Sequence, residues 1–163
     1  LFGEFQGLNM FPVGLAILCL NTPICTLLSC DPDLEQAIRM LPGQAGRFCR
    51  KYCLFIFAVN SIVTSIYLCS WQMVNGGLNF VHVGILLIFA LQSAILSVIL
   101  EWKHPIRGWK TESDLWHHPR KYLVPVLMLL VSAFVSAWMP ALYICVTVLI
   151  LECGALLYAI RKE

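Results

Sequence analysis

The feature that most constrains the fold is a series of five long apolar segments, each close to the roughly 20 residues that a helix needs to cross a bilayer. A helix is favoured there because it satisfies its own backbone hydrogen bonds where water is absent. The alternating pattern of a membrane β-strand does not occur in these segments. The sequence therefore predicts an all-α, polytopic transmembrane bundle, a single domain over 1–163 with helices over about 8–30, 52–73, 79–100, 121–138 and 140–160.

Composition supports this fold class. Hydrophobic residues make up 60% of the chain and charged residues 12%, whereas about a quarter of the residues of a soluble domain are charged. A water-soluble globule of 163 residues cannot bury so much apolar surface. The composition excludes a disordered chain, a secreted disulfide-rich domain and a nucleic-acid-binding domain, and it makes the lipid bilayer the first expected partner.

The 11 lysines and arginines are confined to two loops, 31–51 and 101–121, and to the C-terminal end. Basic residues near helix ends are retained in the cytoplasm. We therefore expect a multi-pass protein of the cell (plasma) membrane with both loops and the C-terminus in the cytoplasm and the N-terminus outside. Because no signal peptide precedes the first apolar segment, we also expect at least one further membrane helix before Leu1.

The first basic loop contains a short amphipathic pattern. Asp31 is a good helix N-cap, Pro32 suits the first helical position, and Pro42 ends the pattern. The sequence predicts a helix over 32–41 that either rests on the lipid surface or docks a soluble partner. The residues expected on its apolar face or beside it are Leu34, Ala37, Ile38, Arg39 and Leu41.

Polar residues inside the apolar segments form a second group of candidates. Asn21, Asn60 and Gln92 are of the type that joins membrane helices through hydrogen bonds. Glu152 differs because a carboxylate at that depth is costly unless it is protonated, paired or facing water. We interpret these four residues as a candidate pathway, with Glu152 suited to contact a substrate or to relay a proton.

Several kinds of chemistry find no support in the sequence. It contains no nucleophile–base pair, no glycine-rich phosphate loop, no acidic metal cluster and no Cys-x-x-Cys pair. The adjacent His117 and His118 would point about 100° apart on a helix, which disfavours binding to one ion. We therefore predict no catalytic, cofactor-binding or metal-binding residues and no enzyme activity for this chain.

The two basic loops resemble those of the membrane (permease) subunit of a bacterial ATP-binding-cassette exporter. The resemblance rests on Leu34–Leu41, the following Pro42-Gly43, Arg50-Lys51 and the stretch from Trp102 to Pro125. It implies that 32–41 is a coupling helix seated in a separate ATPase, which would hold ATP and Mg²⁺. It also implies a second permease copy, in a homodimer or heterodimer, and a peptide, drug or lipid substrate.

Two other functions stay open at this point. One is a proton- or ion-coupled membrane carrier subunit that uses Glu152, and the other is a non-catalytic membrane scaffold. The tight connection at 138–140 also leaves two arrangements for the last two helices. Either both cross the membrane, or the first is re-entrant, as in the short outer element of the resembling family.

Overall fold

The computed structural model describes residues 4–5, 8–19, 24–41, 43–77, 79–106, 108, 114, 117–138 and 140–161. Apart from a two-residue antiparallel pairing of β1 (Glu4–Phe5) with β2 (Leu8–Asn9), the described elements are helical. They are α1 (Met10–Leu18), a 3-10 turn (Ile24–Thr26), α2 (Leu27–Cys30), α3 (Pro32–Met40), α4 (Gln44–Asn75), α5 (Phe80–Lys103), a second 3-10 turn (Pro119–Tyr122), α6 (Leu123–Ala137) and α7 (Ala141–Arg161).

Three of these helical stretches are long and apolar enough to span a membrane. They are Gln44–Asn75, Phe80–Lys103 and Pro119–Ala137, and a shorter apolar helix, Leu142–Tyr158, follows them. The chain is therefore a helical, membrane-embedded protein. More than half of the apolar stretch of α5 (56%) is buried, against 17% for α4, so α5 is the central helix of the bundle.

The helices α4 and α5 form a hairpin around two glycines. Gly76 and Gly77 have φ values of +67° and +68°, a conformation that glycine adopts without steric cost. At the opposite end of this hairpin, where α4 begins and α5 ends, lie the cations Arg47, Arg50, Lys51, Lys103 and Arg120. We call this the basic end of the bundle and the glycine turn its far end.

The first apolar segment differs from the single helix predicted over 8–30. The helix α1 ends at Leu18, Cys19 is its C-cap, and the chain is described again from Ile24 as a 3-10 turn. Non-helical backbone is tolerated at membrane depth where protein groups satisfy it. Here the hydroxyl of Ser93 on α5 donates to the Cys19 carbonyl at 2.8 Å, and the hydroxyl of Tyr52 on α4 donates to the Ile24 carbonyl at 2.7 Å.

The second helix begins earlier than predicted. Residues 44–51, assigned to the loop 31–51 from their charge, are the first two turns of α4. Gly43 precedes them in the left-handed conformation, with φ of +74°, and is the N-cap of α4. Cys49 and Tyr52 are buried on one side while Arg50 and Lys51 are exposed on the other. The apolar face of the helix therefore continues through the basic segment.

The last two helices are connected by the short segment 138–140, in which Met139 lies outside the described residues. A 3-10 turn precedes α6 and lengthens its apolar stretch to the 19 residues of Pro119–Ala137. Trp138 is extended and Pro140 lies in a turn before α7. The sequence also predicts a short helix over about 112–118, before Pro119, and this stretch falls largely outside the described residues.

Aromatic side chains pack the far end of the bundle. The ring of Phe11 on α1 lies 5.7 Å from Tyr67, 5.3 Å from Trp71 and 4.7 Å from His82, measured between centroids. His82 also accepts a hydrogen bond from the Asn79 backbone N–H at 3.2 Å, which completes the N-terminal cap of α5. The histidine inside an apolar segment therefore has a structural role.

Gly14 on α1 packs against the ring of Tyr67 on α4. A Cβ atom at this position would lie 2.6 Å from Cζ of Tyr67, whereas a Cβ at Gly84 on α5 would meet nothing within 4 Å. We expect Gly14→Ala to reduce the free energy of unfolding by about 1–3 kcal/mol through overpacking. Thermal unfolding in detergent measures this, and Gly84→Ala is the matched control, for which we expect no loss. Equal effects of the two variants would contradict the close packing of α1 on α4.

Candidate functional site

Buried polar groups meet in the middle of the bundle where α1, α4 and α5 come together. The Asn60 side-chain amide on α4 donates to the Ser93 hydroxyl at 3.5 Å, and that hydroxyl donates to the Cys19 carbonyl. Asn60 and Ser93 are completely buried. One turn further along α4, the Thr64 hydroxyl donates to the Asn60 carbonyl at 2.7 Å.

The polar groups continue on the other side of α5. Gln92 precedes Ser93, and successive helical residues point about 100° apart. While Ser93 faces α1 and α4, Gln92 faces α7, and its side-chain amide hydrogen-bonds the Glu152 carboxyl. Asn60, Ser93, Gln92 and Glu152 thus form a belt across three helices, which we call the polar belt. Each lies near the middle of its helix.

The polar belt contains three of the four candidate pathway residues. Asn60, Gln92 and Glu152 are brought to the same depth, and Asn21 lies outside the described residues. Sequence reasoning did not select Ser93, although it is the residue that links the α1 break to α4. Its position beside Gln92 in the sequence could have indicated a role. However, serine is so common in membrane helices that its residue type alone does not identify a site.

A second buried network lies at the basic end. The carboxylate of Glu101, in the last turn of α5, is completely buried and accepts the Ser29 backbone N–H at 2.6 Å. Its other oxygen pairs with the Arg120 guanidinium at 2.6 Å. The Ser29 hydroxyl accepts from the Ile106 backbone N–H at 2.8 Å and from Arg120 at 3.3 Å. The network joins α2, α5 and the turn before α6, and sequence reasoning missed it.

A small cavity separates the network from the polar belt. It has a volume of about 30 Å³, enough for one or two water molecules. Its walls include Arg120 and Lys121 on the side of the basic end and Cys19 on the side of the belt. Ser97, one turn of α5 beyond Ser93, also lines it and hydrogen-bonds the Cys25 thiol. The cavity therefore borders both polar groups.

The Arg39 side chain links α3 to the last turn of α5. Nε of Arg39 pairs with Glu35 at 2.9 Å, its terminal nitrogen donates to the Trp102 carbonyl at 2.7 Å, and its guanidinium lies 4.3 Å from the centre of the Trp102 ring. We call these contacts the Arg39 clamp. Because Trp102 follows Glu101, α3 is joined to α5 beside the buried ion pair.

The structure divides the five coupling candidates between two faces of α3. Ile38 is buried, Leu34 is half-buried, and Arg39 is engaged in the clamp. Ala37 and Leu41 are exposed, and so is the neighbouring Met40 at 70%. The N-cap is as predicted, since the Asp31 side chain accepts the Leu34 backbone N–H at 3.1 Å. The buried face also contains Glu35, the partner of Arg39.

Comparison with protein-family models, with curated proteins and with solved structures gives no match for this chain. Among the described residues, no group of three or more histidine, cysteine or acidic side chains is arranged to hold a metal ion. All eight cysteines are free thiols.

The buried ion pair at the basic end can be tested by removing its cation. Removing one partner of a buried pair typically costs about 3–5 kcal/mol. We expect Arg120→Met to destabilise the protein by about that amount, because the buried Glu101 carboxyl loses its guanidinium partner. Denaturant or thermal unfolding in detergent measures the effect. Lys51→Met, which removes an exposed cation at the same end, is the control, and we expect a change of less than about 0.5 kcal/mol. An equal response to both substitutions would show that the pair does not support the fold.

Proposed function

We propose that this chain is the permease subunit of an ATP-driven exporter for a peptide, drug or lipid, with its basic end in the cytoplasm and a separate ATPase docked on α3. A second permease copy completes the pathway. The observation that carries the proposal is the Arg39 clamp. A short helix at the basic end is joined through it to the central helix of a membrane bundle.

A coupling helix needs one face for the membrane bundle and another for its partner. The inner face of α3 contains Ile38 and the clamp. Its outer face exposes Ala37, Met40 and Leu41, which are small or apolar and suit a groove in a soluble protein. The outer face supports docking over the alternative of a helix that rests its most apolar face on lipid, because that face is turned into the bundle.

Movement of α3 has a direct route to the middle of the bundle. The clamp holds Trp102, and Gln92 and Ser93 of the polar belt lie on the same rigid helix about 13–15 Å away, from the helical rise of 1.5 Å per residue. A push on α3 displaces the end of α5 and with it the contacts of the belt to α1, α4 and α7. This is the mechanical link that alternating access requires.

The proposed docking face can be tested by placing a charged residue on it. We expect Met40→Glu to weaken association with the ATPase by about 30-fold, equivalent to the ~2 kcal/mol of a buried interface contact. The measurement is affinity purification in mild detergent from native membranes, with the partner identified by mass spectrometry and by ATP hydrolysis. Met73→Glu, at an exposed methionine near the far end, is the control. Unchanged recovery of an ATPase with Met40→Glu would rule out docking on this face.

The clamp can be tested separately from docking. We expect Arg39→Ala to leave the ATPase bound, because the outer face is intact, and to lower ATP-driven transport in vesicles about tenfold, within the usual range of coupling energies. Arg50→Ala is the control, since the hydrogen bond of Arg50 is to Gly46 of its own helix, at 3.3 Å. Full transport with Arg39→Ala would show that the clamp does not transmit the movement.

A second candidate function is a proton- or ion-coupled carrier subunit, which the placement of Glu152 in the polar belt favours. The two functions respond differently to Glu152→Gln. A carrier that relays protons through Glu152 loses transport, whereas an exporter driven by ATP retains it. If the protein transports by neither route and purifies without an ATPase, the remaining function is that of a membrane scaffold.

A further inference from the structure

Two buried oxygen atoms in the polar belt have no hydrogen-bond partner among the described residues. They are Oε1 of Gln92 and Oε2 of Glu152. Both belong to the pair of side chains that already share one hydrogen bond, in which the Gln92 amide N–H group donates to the Glu152 carboxyl. An unpaired buried acceptor costs about 1–3 kcal/mol. We therefore look for one cause that accounts for both unpaired oxygen atoms.

A single proton would satisfy both oxygens at once. On Oε2 of Glu152 it turns that atom into a donor, and Oε1 of Gln92 is the acceptor of the same pair. The acid and the amide then exchange two hydrogen bonds. Without the proton, both atoms are acceptors and neither can bond the other.

The helices around Glu152 offer no opposite charge. In the described part of α6 there is no titratable side chain. The charged residues of α4 and α5 nearest to this depth, Lys51 and Glu101, lie nine residues from Asn60 and Gln92, a helical rise of about 13 Å. The titratable groups near this site are thiols. Cys145 on α7 lies near Glu152, and Cys53 on α4 lies near Cys153 on α7. A metal cation is a poor alternative, because a hard cation takes six or more oxygen ligands.

We propose that Glu152 and Gln92 form a proton-binding site in which the neutral acid of Glu152 donates to Gln92. The bound proton holds α7 to α5. Separation of the two helices gives water access to the pair, and the proton then leaves Oε2 as hydronium and the carboxylate remains with its charge solvated. The site lies outside the ATPase coupling proposed above, and its test does not depend on that function.

The protonation state can be read by infrared spectroscopy of the purified full chain in lipid at neutral pH. We expect the carbonyl stretching band of a protonated carboxylic acid in the wild type and its loss in Glu152→Gln. We expect this substitution to preserve the fold, because two amides can exchange the same two hydrogen bonds. Gln92→Leu removes the partner and keeps the acid, so we expect the band to persist and to move to higher frequency.

Glu35→Gln is the matched control. Glu35 is also buried, at 5% exposure, but its carboxyl pairs with the Arg39 guanidinium. Its replacement leaves the band unchanged. The proposal is overturned if the wild type has no such band, if Glu152→Gln retains it, or if Gln92→Leu does not shift it. Should Glu152→Gln fail to fold, the comparison of the wild type with Gln92→Leu decides.

Discussion

The buried carboxylate of Glu101 organises the end of the bundle at which the charged residues gather. It takes a backbone donor from α2 and a guanidinium from the turn before α6, so three distant parts of the chain meet on one helix end. An ionised carboxyl group can be removed from water only when its oxygens are satisfied in this way. The Arg39 clamp begins at the next residue, Trp102, so the position of α3 depends on the same helix end. The network and the clamp together turn two separate loops into one structural unit.

Two glutamates outside α3, the buried Glu101 and the half-buried Glu152, lie in environments of very different polarity. Glu101 receives a charged donor and a backbone donor at 2.6 Å each. Glu152 receives a neutral amide from Gln92 and has an unpaired oxygen among the described groups. A polar, charged environment favours the ionised form of an acidic group, and an apolar one favours its neutral form. The first glutamate fits a fixed structural centre, and the second fits a group whose charge changes as the helices move.

The sequence allowed the helical class and the membrane setting to be predicted, because apolar length and hydrogen-bond satisfaction depend on local composition. The capped helix over Pro32–Met40 also follows from local signals at Asp31 and Pro32. The buried Glu101–Arg120 pair could not be predicted, since its partners are 19 residues apart and a charged residue after an apolar segment normally faces water. The clamp was missed for the same reason. From the sequence, Arg39 is expected at the surface, and its partner Trp102 is 63 residues away in the chain. The start of α4 was placed too late because its cations concealed a continuous buried face.

The length of α4 makes the protein sensitive to the thickness of its membrane. Its 32 residues extend for about 48 Å, whereas the hydrocarbon core of a bilayer measures about 30 Å. The first two turns, which contain Arg47, Arg50 and Lys51, account for about 12 Å of the excess, and α3 precedes them in the chain. A thicker bilayer covers more of α4 or makes it stand more upright, and a thinner one leaves more of it exposed or increases its tilt. The height of α3 above the lipid is therefore set by hydrophobic matching, and lipid composition becomes a physical control on how accessible its outer face is.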